Sequence, residues 1–175
     1  MEYLYILQQA LVWIITLFWL YQLAISICSL VKLKDKPLLV EKNHRFMAII
    51  PAHNEENVVT ELIESLKKQN YPKELLDIYV IADNCTDRTA EVARKAGAIV
   101  YERFDPEKKT KGYALNWFLE QKIEENAPYD AFCIFDADNI VHEDFIKNMN
   151  KKLCQGEDVV QGYRDIKNPT DNWIT

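Results

Sequence analysis

The 175-residue chain has no basic excess, no cysteine framework and no glycine where a phosphate-cradling loop would need one. Its formal net charge of -6 excludes a nucleic-acid binder that works through a broad basic face. The four cysteines, Cys28, Cys85, Cys133 and Cys154, show neither C-x-x-C spacing nor the density of a disulfide scaffold. They are expected to be free thiols of a reducing compartment, two of them buried in strands, and their spacing argues against a zinc site. The stretch PAHNEEN, residues 51–57, contains no Gly, which disfavours a nucleotidyltransferase with a glycine-rich loop after its first strand. A calcium loop starting at Asp136 fails because Ile140 holds its fifth position and no Gly follows at the sixth. Internal repeats and low-complexity stretches are absent as well, so the length fits one domain with a sizeable core.

Charge is also missing from Tyr3 to Val31, and Ala10 to Val31 is a run of 22 residues, ALVWIITLFWLYQLAISICSLV. As a helix it spans about 33 Å, the thickness of a hydrocarbon core. A cleaved signal peptide has an apolar region of only ~7–15 residues after a basic segment. Here no Lys or Arg precedes the run, and bulky Trp13, Phe18 and Trp19 fill it. An uncleaved single-pass anchor over 1–31 is therefore expected, followed by a basic linker over 32–44 and a soluble part over 45–175. Lys32, Lys34, Lys36, Lys42 and Arg45 all follow the run, which places the N-terminus outside the cell membrane and the globular part in the cytoplasm.

Beyond the linker, apolar runs alternate with helical periodicity. RFMAIIPA (45–52), LDIYVIAD (76–83), AIVYERF (98–104), DAFCIFDAD (130–138) and DVVQGYRD (158–165) predict strands. Residues 55–70, 87–98, 112–126 and 143–155 predict helices, and Gly97 suits a helix C-terminus. This alternation predicts an α/β fold, a mostly parallel sheet with flanking helices.

In such a sheet ligands bind beyond the carboxyl ends of the strands. Carboxylates and amides collect there: Asn54 and Glu55 after the first strand, Asp83 and Asp87 after the second, Asp136 and Asp138 after the fourth. Lys108, Lys109 and Lys111 precede a predicted helix N-terminus, a place that favours anions. The set suits a diphosphate bridged by Mg²⁺ or Mn²⁺, since such cations take one or two carboxylates and complete their shell with phosphate and water. Asp136 and Asp138 are expected on one side of the strand end, where a cation would neutralise them. Asp87 and Asn139 also fit turn or cap roles, Lys108 and Lys109 fit solvated loop charges, and Trp117 and Phe118 fit core.

The succession IIPAHNEENVV, YVIADNCTDRT, KGYALN and FDADN resembles the family 2 glycosyltransferases of the GT-A fold, nearest to membrane-embedded bacterial enzymes that make polysaccharide or glycolipid. The resemblance covers residues 45–175. It implies that Pro51, Ala52, Asn54 and Glu55 line a nucleotide pocket, and that Asp83, with Asn84 nearby, accepts a hydrogen bond from the base, typically uracil. Lys111 would approach the diphosphate, Asp136 would meet ribose or metal, and Asp138 would ligate Mg²⁺ or Mn²⁺. The implied reaction is inverting transfer of a sugar from a UDP-sugar to a saccharide or lipid acceptor.

Members of that family continue past the D-x-D strand with an acidic general base, and the processive ones add a Q-x-x-R-W motif. This chain shows neither before NPTDNWIT. Glu143 and Asp144 fit first-turn helix charges better than a base. The expectation is donor binding without transfer by this chain alone, with a complementing C-terminal half or partner subunit; a non-catalytic nucleotide-binding pseudoenzyme is the alternative.

Overall fold

The computed structural model describes residues 1–29, 37, 39 and 42–164. Residues Met1–Pro37 and Leu38–Thr175 form two compact units.

The first unit is one helix, α1 (Glu2–Ser29), which is long and apolar enough to cross a membrane. Its apolar side chains are exposed on every side, Trp13, Phe18 and Trp19 among them. A helix apolar all round has no stripe to dock against a protein core. Its hydroxyls bond back to its own backbone, Thr16 to the Val12 carbonyl at 2.8 Å and Ser26 to the Gln22 carbonyl at 2.9 Å, which satisfies them without water.

The second unit is built on four parallel strands, β1 (Phe46–Ala52), β2 (Leu76–Asp83), β3 (Ile99–Arg103) and β4 (Ala131–Ile134), in the order β3-β2-β1-β4. Between and after them lie α2 (Val59–Lys67), α3 (Thr89–Lys95), α4 (Lys111–Glu124) and α5 (Phe145–Cys154). β1 is buried on both faces, so its sequence is continuously apolar rather than alternating. Ala48, Ile50 and Ala52 pack with Val59, Leu62, Ile63 and Leu66 of α2 and with Ala93 of α3. Those α2 residues recur at the spacing of one helical face. Met47 and Ile49 turn to the opposite face, against Ala114 and Phe118 of α4. Each fully buried Ile or Leu is worth about 1.5–3 kcal/mol, so this double-sided core fixes the strand register and hence the alignment of the strand ends.

α3 ends as expected at Gly97, whose φ of 90° is the left-handed conformation that only glycine enters at no cost. Two expectations are corrected. β4 stops at Ile134 instead of running to Asp138: the Phe135 N–H still bonds the Ile49 carbonyl at 3.0 Å, but β1 then continues only with β2 as its partner. The expected strand over 158–165 does not form over 158–164, and Asp165 lies outside the described residues, as do Lys32, Lys34 and Lys36. Val159 and Tyr163 stay exposed there, because apolar alternation makes a strand only where a ladder partner and a face to bury exist.

All four cysteines are free. Only Cys133 lies on a strand, half-buried on β4; Cys154 is buried at the end of α5 and Cys85 sits in the loop after β2. Cys154 tucks its thiol toward the Lys42 carbonyl at 3.4 Å, so helix packing took the place that strand burial was expected to fill.

Candidate functional site

The order β3-β2-β1-β4 reverses direction at β1, which opens a crevice beyond the carboxyl ends of β1 and β4. Pro51 and Ala52 end β1 at this point. Past them the chain turns through Asn54, whose φ of 56° lies in the left-handed region that Asn tolerates better than most residues. The Asn54 side chain holds the neighbouring loop: its Oδ1 accepts from the Thr86 N–H at 2.8 Å. The Glu55 N–H bonds Thr89 Oγ1 at 2.8 Å, and Asp87 accepts from the N–H groups of Thr89 and Glu56 at 2.9 and 3.2 Å. Two strand-end loops are thus zipped into one wall, with Asp87 in the turn role.

The second wall is a buried charge cluster. Asp83 and Arg103 are direct register partners at the ends of β2 and β3, and Asp83 Oδ1 accepts from Arg103 Nη1 at 2.6 Å. Both side chains are within a few per cent of full burial. Arg103 also donates to the Lys108 carbonyl at 2.9 Å and to Asp105 at 3.0 Å. Asn84, at φ 51°, donates to Asp83 Oδ1 at 3.1 Å and accepts from the Asp105 N–H at 2.9 Å. Among the described residues both side-chain bonds to Asp83 fall on Oδ1, which leaves Oδ2 for a ligand. The backbone N–H groups of Lys108 and Glu107 hold the Asp105 carboxyl below the usual carboxylate range. Beside this cluster, Phe104, Asp105, Lys108, Tyr113 and Trp117 line an open pocket of about 230 Å³.

The third wall is the loop after β4. Phe135 and Ala137 are buried, while Asp136 is half-buried and Asp138 is exposed. Lys111, the first residue of α4, pairs with Asp136 Oδ1, and Arg164 Nη2 donates to Asp136 Oδ2 at 3.1 Å. These two cations, Lys111 foremost, hold the Asp136 carboxyl below the usual range. Among the described residues Asp138 accepts only a 3.2 Å bond from its neighbour Asn139. Among the described residues no group of three or more His, Cys, Asp or Glu forms a metal cage. Two carboxylates facing a crevice suit a hard cation that draws its other ligands from phosphate and water, and not a dedicated all-protein site.

The structure thus brings Pro51, Ala52, Asn54, Asp83, Asn84, Lys111 and Asp136 to the strand ends, with Asp138 two residues further along its loop. Glu55 is at the wall chiefly through its backbone N–H. Glu143 and Asp144 precede the first turn of α5, contrary to the expected first-turn charges, and both meet Asn70: the Glu143 carbonyl accepts from its N–H at 2.8 Å and the Asp144 carboxylate from its side-chain amide at 3.0 Å. Phe118 is core, and Trp117 is half-buried between core and pocket. Sequence reasoning missed Arg103 and Thr89. An Arg at the end of the third predicted strand, opposite an Asp ending the second, was the signal for the first; Thr89 Oγ1 left none.

The sequence matches the profile of the family described as Glycosyl transferase family 2 over residues 47–175. The 4,4'-diaponeurosporenoate glycosyltransferase of Staphylococcus aureus is 33% identical over 129 residues, 72% of this chain and 32% of that protein. Among solved structures, S. aureus TarS aligns with TM-score 0.51 and 26% identity over 60% of this chain and 31% of its own. The glucosyl-3-phosphoglycerate synthase of Mycobacterium tuberculosis, in complex with UDP, aligns with TM-score 0.50 and 25% identity over 65% of this chain and 41% of its own. The chain spans about a third or less of the length of the curated relatives it matches. Its four-stranded parallel sheet with flanking helices is the GT-A architecture of these neighbours. The chain belongs to glycosyl transferase family 2.

Proposed function

We propose that residues 45–175 carry the donor-binding part of a membrane-anchored, inverting glycosyltransferase that uses a UDP-sugar to build polysaccharide or glycolipid. The observation that carries this reading is the gathering of three walls at the carboxyl ends of the strands: a zipped backbone wall, a buried carboxylate whose Oδ2 has no partner among the described residues, and a half-buried and an exposed carboxylate beside lysine. The UDP of the mycobacterial synthase structure supports a uridine diphosphate as the donor's nucleotide.

In this reading Pro51, Ala52, Asn54 and Glu55 line the nucleotide, and Asp83 accepts a hydrogen bond from the base through Oδ2. Arg103 fixes that carboxylate without competing for the free oxygen. Lys111 meets the diphosphate as a point charge. Asp136 and Asp138 would hold Mg²⁺ or Mn²⁺, which when bound offsets charge on the departing diphosphate. α1 serves as the anchor, with its N-terminus outside and the sheet in the cytoplasm, where nucleotide sugars are within reach.

Transfer also needs a base at the acceptor hydroxyl, worth roughly 10²–10⁴ in rate. Glu143 and Asp144 lie just ahead of α5, where the Asp144 carboxylate is bonded to Asn70. A radiolabelled-donor assay on the detergent-solubilised 175-residue chain is therefore expected to show donor binding with no saccharide product. Robust product would overturn this assignment and make Glu143 and Asp144 the first residues to replace. Reporter fusions should place Thr175 in the cytoplasm; an external reporter at Thr175 would overturn the orientation.

A further inference from the structure

Both oxygens of Asp136 are occupied before any ligand arrives, Oδ1 by Lys111 and Oδ2 by Arg164. The two cations come from opposite directions along the chain. Lys111 opens α4, whereas Arg164 lies at the far end of the segment that follows α5. That segment is seated and not merely draped. A Cβ on Gly162 would meet the Phe145 ring at 2.5 Å, so any larger residue there forces the ring to shift. Phe145 in turn packs edge-on against Phe135 at 5.4 Å between centroids, and Phe135 immediately precedes Asp136. Gly162, Phe145, Phe135 and Asp136 therefore form one continuous stack that delivers Arg164 to the carboxylate.

We propose that Arg164 is a stand-in cation, a latch that neutralises Asp136 in the donor-free chain and must leave Oδ2 before a divalent cation can ligate Asp136. The proposal rests on the reading of Asp136 and Asp138 as the cation-binding pair. Two carboxylates separated by one residue repel each other when unneutralised, and the guanidinium relieves this without a metal. Release costs little because the Arg164 side chain is 71% exposed and returns to water when displaced. Arrival of the cation then frees the Arg164 side chain, so that occupancy of the cation site is coupled to the end of the segment seated on Phe145.

Titration of the full 175-residue chain in detergent with Mn²⁺ alone, free Mn²⁺ being read by electron paramagnetic resonance, tests the latch. Arg164→Gln should bind Mn²⁺ about two- to fivefold tighter, the range that an exposed ion pair is worth. Gly162→Val keeps the charge but cannot seat the segment, and should tighten Mn²⁺ in the same direction; Gly162→Ala, which adds only the Cβ, replaces it if the valine chain does not fold. Tightening in Arg164→Gln with none in the Gly162 variant would mean a long-range charge effect and overturn the latch. So would unchanged Mn²⁺ affinity in Arg164→Gln, or weaker UDP binding, which would make Arg164 a donor contact. Mn²⁺ binding that Asp138→Asn removes, with Arg164→Gln no tighter, sinks the latch and leaves the donor site standing. Failure of the wild-type chain to bind Mn²⁺ either alone or with UDP present overturns both.

Discussion

The two sides of the crevice handle negative charge in opposite ways. On the β2–β3 side, Asp83 is buried against Arg103 and fixed further by Asn84. On the β4 side, Asp136 and Asp138 reach solvent, and the partners of Asp136, Lys111 and Arg164, are themselves largely exposed. A buried charge pair stays made, because separating it strands a charge in low dielectric; an exposed pair exchanges readily. Under the proposed function the first side is a fixed template for the nucleotide base, and the second an exchangeable set for a cation and diphosphate.

The largest expected effect breaks the fixed side. Arg103→Met leaves Asp83 buried without its partner and should cost about 3–5 kcal/mol in chemical denaturation. Arg164→Gln, on the exchangeable side, should stay within about 0.5 kcal/mol of wild type in the same experiment. Equal losses in the two variants would erase the distinction between the walls. A smaller effect is expected at the zipped loops. Thr89→Val leaves the half-buried Glu55 N–H without its acceptor and should destabilise by about 1–2 kcal/mol.

The smallest effect is in pH dependence. Asp136 has a depressed folded pKa, so its ion pairs are fully present above the ordinary value of 3.8 and are lost as pH falls through the lower folded value. Lys111→Met removes the main cause and should move the Asp136 midpoint upward in a carbon-detected NMR titration. A midpoint unmoved by that substitution would show that Lys111 does not govern this carboxylate.

The fold was largely legible because the central strands β1 and β2 are buried over most of their length, whereas the edge strands β3 and β4 are only partly covered. β2 matches its expected span, 76–83, since its apolar run ends at the charged Asp83 and meets the edge of the core there. Residues 158–164 carry a comparable alternation but no partner strand, and pairing cannot be read from one segment in isolation. At the site, Asp83, Lys111 and Asp136 were visible because strand ends in an α/β sheet are where ligands bind. Arg103 was not, because its importance lies in the β2–β3 register, which sets it opposite Asp83 and cannot be seen along a single strand. Arg164 was hidden for a similar reason: its segment was expected to extend the sheet, and it crosses to Asp136 instead.

Calorimetric titration of UDP into the 175-residue chain, with and without Mn²⁺, tests the two-sided site most directly when wild type is compared with Asp138→Asn and Asp83→Ala. The account predicts that Mn²⁺ strengthens UDP binding in wild type, that Asp138→Asn abolishes the strengthening while keeping metal-free binding, and that Asp83→Ala weakens binding in both conditions. Identical metal dependence in wild type and Asp138→Asn would contradict it and reduce the acidic pair to a turn.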